Sequence, residues 1–215
     1  TAQDHKRVFE GDKGKNTGGM GAYSPSRLIS NNLEKKIINK IILPTLKYLK
    51  KNNGIYIGFL YAGLMIKNNE PYLIEYNVRM GDPECQTILP LLENDFVEVL
   101  ENCLNGNLKK IKLNWKNKKS ICIVLTSKGY PDKFKKNIII KNLENFDNNN
   151  NQYIFHAGTR FDKKKFYSNG GRVLNFVSID KNINLAREKA LSLIKTLNWE
   201  NGHYRSDIGF KVVKN

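Results

Sequence analysis

Apolar and polar positions follow two different patterns along this 215-residue chain, and the change falls near residue 106. In the first part, Leu33, Ile37, Ile38, Ile41, Ile42, Leu46 and Leu49 recur at three- and four-residue spacing, which predicts a helix with a buried stripe. Asn31 with Glu34 forms a capping-box-like start, and Pro44 is expected to kink or divide the helix. Residues 55–66 predict a long apolar strand, turned by Lys67–Pro71 into a second strand over Tyr72–Tyr76, hence a β-hairpin. Residues 83–104 predict a second helix with Ile88, Leu91, Leu92, Phe96, Val99 and Leu100 on its core face. Ahead of all these, residues 3–9 suggest a short strand and residues 11–25 a glycine-rich loop.

From Gly106 to Lys119 the chain is polar, basic and weakly patterned, as in a linker. Beyond it, Ser120–Thr126, Ile138–Leu143, Tyr153–Thr159 and Arg172–Ile179 predict four strands, with the polar run Asn148–Asn151 as an exposed loop. Ile183–Leu197 is an amphipathic helix, and Gly209–Val213 is expected to add an edge strand. Runs of strands with one flanking helix indicate an α+β fold with an antiparallel sheet. The expected division is residues 1–105, a linker over 106–119, and a C-terminal α+β domain over 120–215.

Composition narrows the classes. A hydrophobic fraction of 40% and a charged fraction of 26% are those of a soluble globular protein, and no apolar run reaches the ~18 residues of a membrane span. Cys85, Cys103 and Cys122 lack C-x-x-C spacing, which points to a reducing interior, the cytoplasm, rather than a disulfide framework or zinc site. The net charge of +16 raises nucleic acid as a partner. Against it, the lysines are scattered along the chain and far outnumber the arginines, and clusters such as Lys116–Lys119 and Lys163–Lys165 lack interleaved aromatic platforms.

Chemistry concentrates in L-I-E-Y-N-V-R-M-G-D-P-E-C-Q, Leu73–Gln86. Strand alternation puts Tyr72, Ile74 and Tyr76 on one face, and Leu73, Glu75, Asn77 and, if the strand persists, Arg79 on the other. Glu75 and Asn77, with Cα atoms about 6.5–7 Å apart, can converge on a divalent ion, and Arg79 can hold an anion beside them. The alternative is an ordinary solvent-facing strand edge. Asp82, Pro83 and Glu84 are explained as N-cap, first helical residue and first-turn acid. The N-T-G-G-M-G loop lacks the G-K-[ST] of a P-loop. Its glycines permit close approach of backbone N–H groups to an anion, or a mobile surface loop. Asp4 and Lys6 share a strand face, with Lys6 able to neutralise phosphate or carboxylate charge or to form an exposed salt link. His156 is expected to be a packing histidine. S-N-G-G-R at Ser168–Arg172 suggests a hairpin turn whose Arg172 can reach an anion.

Taken together, these motifs resemble the phosphoribosylamine–glycine ligase (glycinamide ribonucleotide synthetase) family, ATP-grasp enzymes of purine biosynthesis. The matching residues are A-Q-D-H-K-R at Ala2–Arg7, N-T-G-G-M-G-A-Y-S-P at Asn16–Pro25, G-F-L-Y-A-G-L-M at Gly58–Met65 and I-E-Y-N-V-R-M-G-D-P-E from Ile74. They continue with G-Y-P at Gly129–Pro131, H-A-G-T at His156–Thr159, N-G-G-R-V-L at Asn169–Leu174 and Y-R-S-D-I-G at Tyr204–Gly209, in collinear order over essentially the whole chain.

The resemblance implies that residues 1–105 are the second, metal-binding ATP-grasp subdomain and 120–215 the family's C-terminal domain. It implies a reaction in which ATP phosphorylates the glycine carboxylate and the amine of 5-phosphoribosylamine attacks the acyl phosphate, giving glycinamide ribonucleotide, ADP and phosphate. By position, Glu75 and Asn77 resemble the ligands of Mg²⁺ or Mn²⁺, and Lys6 and Arg79 the groups that steady the transferring phosphoryl group and a substrate carboxylate. Asp4, Asn16, Thr17, Gly18, Gly19, Gly21 and Arg172 resemble substrate- or phosphate-binding positions, with the Asn16–Gly21 loop closing over substrate.

Departures are few. Met80 stands where the family has Phe or Leu, and Asn137, which tolerates a left-handed turn, replaces a glycine. The opening T-A-Q-D-H-K-R-V-F, without an initiator Met, suggests a partial sequence lacking the N-terminal half with most adenine contacts, and so no ligase activity in isolation. The rival expectations are another ATP-grasp carboxylate–amine ligase and, from a different class, a basic nucleic-acid-binding module.

Overall fold

The computed structural model describes residues 1–146, 149 and 151–213. The chain runs through β1 (Gln3–Asp4), β2 (Arg7–Phe9), β3 (Lys13–Asn16) and β4 (Gly21–Ser24). Then come α1 (Asn31–Ile37), a π-helical turn (Ile38–Ile42), α2 (Leu43–Asn53), β5 (Tyr61–Lys67) and β6 (Glu70–Asn77). After α3 (Glu84–Ile88) and α4 (Phe96–Leu104) follow β7 (Lys119–Ser127), β8 (Ile139–Ile140), β9 (Gln152–His156), β10 (Thr159–Asp162), β11 (Lys165–Ser168) and β12 (Arg172–Asp180). The chain closes with α5 (Ile183–Leu197), β13 (Gly202–His203) and α6 (Phe210–Val213). Two compact units result: Thr1–Pro25 with Asp82–Leu91 and Lys116–Asn215, and Ser26–Gly81 with Leu92–Trp115.

The first unit is built on a sheet of order β1-β4-β7-β12-β9, with β13 also paired to β7; every pairing is antiparallel. β7 and β12 are near-continuous apolar runs because both faces of the sheet are covered. Ile121, Ile123, Leu125, Leu174 and Phe176 join the main core, while Cys122, Val124 and Val177 pack on the other side with Tyr153 and Phe155. α5 lies against β7 and β12 through Ile183, Ala186, Ala190, Ile194 and Leu197, a 3-4-4-3 spacing worth about 1.5–3 kcal/mol per large side chain buried. Asn182 caps its start and Asn198, in the left-handed region, ends it, so the predicted helix is found at its predicted bounds.

In the second unit, Ser30 rather than Asn31 caps α1, by accepting from the Leu33 N–H. Pro44 divides the helix as expected: it lacks an N–H, and the π-helical turn before it absorbs the lost bond. The β5–β6 hairpin turns at Asn68 and Asn69, both with positive φ, the two-residue turn that matches strand twist. Among the described residues, no helix is long and apolar enough to cross a membrane.

Several expectations are overturned. The strand over 3–9 is broken at His5–Lys6, where the chain changes partner from β4 to the β3 hairpin. The glycine-rich stretch over 11–25 is mostly strand: β3 pairs with β2, and β4 is buried against β7. The strand predicted over 55–66 begins only at Tyr61. Ile55 and Ile57 are exposed instead. The helix over 83–104 is divided by Pro90, which ends α3 in a 3-10 turn, and Asp95 starts α4 afresh. Pro83, not Asp82, occupies the N-cap position of α3, and no side chain caps it.

The Ile138–Leu143 strand shrinks to β8 because Asn142 takes a left-handed φ and starts a 3-10 turn. β10 and β11 are an additional hairpin. Ser168–Arg172 is not a hairpin turn, since β11 pairs with β10 and β8 while β12 belongs to the large sheet. Gly209–Val213 ends in helix α6, entered through the positive φ of Gly209. Asn137 does adopt the left-handed turn expected of it. The Asn148–Asn151 loop falls largely outside the described residues.

Candidate functional site

Glu75 and Asn77, the pair expected to bind a metal, stand on β6, in the second unit. A β-bulge shifts the register, so that Gly63 faces Glu75 while Leu64 faces Leu73, leaving Ile74 as the extra residue. Cross-strand partners share a face, so Tyr72, Glu75 and Asn77 lie with Tyr61, Gly63 and Met65, and Leu73 and Tyr76 lie on the other side. Plain alternation misassigns both Leu73 and Tyr72, yet Glu75 and Asn77 still project together: the Asn77 amide nitrogen donates to Glu75 Oε1 at 3.1 Å. On the opposite face, Tyr76 Oη lies 2.6 Å from Thr45 Oγ1 and donates to the Ile41 carbonyl, which ties β6 to the helices.

Gly63 makes room for this arrangement. A Cβ there would stand 3.1 Å from Glu75 Cγ. An isolated glycine inside an apolar strand signals a bulge or a close approach, and here it is both. Arg79 lies beyond the strand, exposed, with Nη1 donating to the Met80 carbonyl at 2.9 Å. One carboxylate and one carboxamide oxygen are hard donors suited to Mg²⁺ or Mn²⁺, which keep several sites for water and phosphate oxygens. Among the described residues no group of three or more His, Cys, Asp or Glu could hold a metal.

The remaining predicted residues lie in the first unit. Lys6 Nζ stands 2.5 Å from Asp4 Oδ2, with the Lys6 side chain 50% exposed and that of Asp4 only 10%. Burial pushes the Asp4 carboxyl up to about 6 against the lowering pull of Lys6, and the Glu84 carboxylate adds to the rise. Asp4 therefore anchors the lysine from below. His5, between them, is buried with Nε2 accepting from the Gly209 N–H at 3.1 Å, and burial followed by the Arg205 charge lowers it to about 4. It is neutral.

The glycine-rich segment does not present an open nest of amides. The Thr17 N–H donates to the Lys6 carbonyl, Gly18 N–H to Tyr130 Oη at 2.9 Å, Gly19 N–H to Thr17 Oγ1 at 3.0 Å, and Met20 N–H to the His5 carbonyl. Gly19 and Gly21 are buried and Asn16 and Gly18 exposed. The glycines serve close approach to protein: a Cβ on Gly19 would meet Pro83 Cδ at 2.6 Å, and one on Gly21 the Cys122 carbonyl at 2.5 Å.

Arg172, expected to reach an anion, is bonded to protein acceptors. Its Nη1 donates to the carbonyls of Gly18 at 3.0 Å and Asp82 at 2.6 Å, and its Nη2 to Asp82 Oδ2 at 2.9 Å. Asp82, read from sequence as a helix cap, also accepts from Gln86 through Oδ1. Tyr130 thus holds Gly18, and Asp82 holds the Arg172 guanidinium, two contacts that pattern reasoning missed. Their signal was present, in the G-D-P-E and G-Y-P motifs. His156, by contrast, pairs its Nδ1 with Thr159 Oγ1 at 2.8 Å, beside Phe166.

Comparison with known proteins adds the following. Residues 1–85 match the family model of the phosphoribosylglycinamide synthetase ATP-grasp (A) domain, and residues 120–211 that of the phosphoribosylglycinamide synthetase C domain. A phosphoribosylamine–glycine ligase of Fusobacterium nucleatum is 44% identical over 210 residues, 97% of this chain and 49% of that protein. The chloroplastic phosphoribosylamine–glycine ligase of Arabidopsis thaliana is 42% identical over 218 residues, 100% of this chain and 41% of that protein. The crystal structure of phosphoribosylamine–glycine ligase from Thermotoga maritima superposes with a TM-score of 0.85 at 36% identity, over 96% of this chain and 50% of its own. The chain spans about half the length of the curated relatives it matches. A biotin carboxylase domain from Hydrogenobacter thermophilus, at 14% identity, TM-score 0.61 and 86% of this chain against 40% of its own, shares the fold.

Proposed function

Because this chain belongs to the phosphoribosylglycinamide synthetase family, we propose that it is the metal- and phosphate-gripping part of a ligase joining glycine to 5-phosphoribosylamine at the expense of ATP. The observation that carries this reading is the Glu75–Asn77 pair, held on one strand face by the bulge opposite Gly63. Glu75 and Asn77 would hold Mg²⁺ or Mn²⁺, which when bound neutralises phosphate charge. Arg79 contacts a substrate carboxylate or phosphate, and Lys6, steadied by Asp4, offers its exposed ammonium to the transferring phosphoryl group. Asn16, exposed, supplies a substrate contact, whereas Thr17 and Gly18, whose N–H groups are bonded within the protein, and the buried Gly19 and Gly21 shape the segment. No enzyme nucleophile is required. Positioning and charge neutralisation carry the acyl phosphate route.

We assign residues 1–105 to the second ATP-grasp subdomain, 106–119 to the connection, and 120–215 to the family's C-terminal domain. The partner of this chain is the remainder of the ligase, and the chain by itself is expected not to turn over. The three cysteines, without C-x-x-C spacing, fit a reducing, cytoplasmic setting. The test is ADP release by the complete ligase, dependent on both glycine and 5-phosphoribosylamine. Glu75→Ala and Asn77→Ala should each lower kcat by about a hundredfold or more while the circular dichroism spectrum is unchanged. Near-normal kinetics in both variants, at saturating and at limiting metal, would refute the metal assignment.

A further inference from the structure

The Gly18 peptide is gripped from both of its polar ends. Its N–H donates to Tyr130 Oη at 2.9 Å and its carbonyl accepts from Arg172 Nη1 at 3.0 Å. The same guanidinium binds Asp82 twice, through the backbone carbonyl at 2.6 Å and Oδ2 at 2.9 Å, and Gln86 holds the other carboxylate oxygen at 2.9 Å. A Cβ on Gly18 would lie 3.1 Å from Arg172 Cζ, so the guanidinium rests directly on the peptide. The next residue continues the chain of contact, since a Cβ on Gly19 would stand 3.0 Å from Asp4 Oδ1, and Asp4 holds Lys6. One side chain at the start of β12 thus sets the spacing of the Gly18 segment and the turn before α3, and through Gly19 and Asp4 it reaches Lys6.

We propose that Arg172 is a positioning residue for the ligase reaction, acting through Gly18 and Asp82 on the placement of Lys6 rather than by touching substrate. The assignment rests on the ligase reading above. Three acceptors on two residues demand a planar fork, which the point charge of lysine does not reproduce. A displacement of ~1 Å at a group steadying a transferring phosphoryl costs on the order of a hundredfold in rate.

The test is Arg172→Lys in the complete ligase, with kinetics scaled to folded protein. The kcat should fall about ten- to a hundredfold, while the KM for Mg-ATP stays within about twofold because Glu75 and Asn77 belong to the other unit. Asp82→Asn, which keeps the backbone acceptor and one side-chain oxygen, should lose less, and the double variant should be no worse than Arg172→Lys alone. Wild-type kcat in Arg172→Lys, or strict additivity with Asp82→Asn, would overturn the proposal. Absence of glycine-dependent ADP release from the wild-type ligase would sink the ligase reading and the positioning role with it. The latch itself is read independently in this chain by hydrogen exchange at the Gly18 amide, which should quicken about tenfold or more in Arg172→Lys; an unchanged rate would refute it.

Discussion

Replacing Arg205 by methionine should destabilise the first unit more than any surface charge change, and the structure sets the size. The Arg205 side chain is 0% exposed. Its Nε and Nη2 donate to the two Asp207 carboxylate oxygens at 2.7 and 2.9 Å, and Nη1 donates to Asp12 Oδ1 at 2.9 Å and the Arg7 carbonyl at 3.0 Å. Methionine fills much of the space but leaves the Arg7 carbonyl and two carboxylates without this donor. Losing one partner of a buried charge network costs about 3–5 kcal/mol. Asp12 keeps Lys211 at 2.6 Å, and Asp12 and Asp207 are partly exposed and regain water, which points to the lower end, about 3 kcal/mol. Urea unfolding at pH 7, followed by Trp199 fluorescence in a Trp115→Phe background, reports this unit alone. With a slope of about 2–3 kcal/mol per M, the midpoint should drop by about 1–1.5 M. A drop below about 0.3 M would show that the network is worth no more than a solvated ion pair and refute the reasoning.

Two further outcomes are expected. The folded His5 titrates near 4, against 6.5 unfolded, so its contribution is present above 6.5 and lost as pH falls through 4; it faces Arg205, Lys211, Asp12 and Asp207. Asp4, raised from 3.8 to about 6 beside Lys6 and Glu84, contributes fully below 3.8 and loses that contribution as pH rises through 6, so the two oppose each other between 4 and 6. Asp4→Asn should therefore steepen the rise of the urea midpoint between pH 4.5 and 6.5, and an unchanged slope would count against these environments. Gly63→Val should push Glu75 off its position, since the added Cβ meets Glu75 Cγ at 3.1 Å. The apparent metal requirement of the complete ligase should rise about tenfold with folding intact, and an unaltered metal titration would refute the role of the bulge.

What could be read from the sequence was local. α5 was legible because five core residues repeat at helical spacing between two asparagine caps, and the β5–β6 hairpin because Asn68–Asn69 is a turn pair. The Glu75–Asn77 pairing survived because both residues lie after the bulge, where alternation is intact. The bulge itself was hidden, since an extra residue leaves the hydrophobic pattern plausible in either phase and only Gly63 hints at it. β10–β11 was missed because its turn uses Lys163 and Lys164 at positive φ, residues with no turn preference of their own. β4 was hidden in a glycine-rich run because its partner, β7, lies about a hundred residues away, and no local pattern encodes that distance. The protein partners of Arg172 were hidden for the same reason, as both are remote in sequence.

A chain with a net charge of +16 poses a sorting problem, and the ion pairs answer it through which partner water can reach. Where both are exposed, as in Lys15–Asp132 and Arg160–Asp162, the pair is a solvated surface contact of little energetic weight. Where the cation is the more buried member, as in Arg205 with Asp12 and Asp207, or Arg172 (22% exposed) with Asp82 (42%), the charge is spent inside the protein and fixes backbone positions. Lys6 shows the reverse order, a half-exposed ammonium pinned by a carboxylate drawn into the interior. That asymmetry leaves the Lys6 side chain half-exposed while Asp4 fixes its direction, which suits the phosphoryl contact proposed for it. Composition treats these lysines and arginines alike. Burial of the partner separates the half-exposed Lys6 from Arg172, whose guanidinium is committed to the acceptors of Gly18 and Asp82.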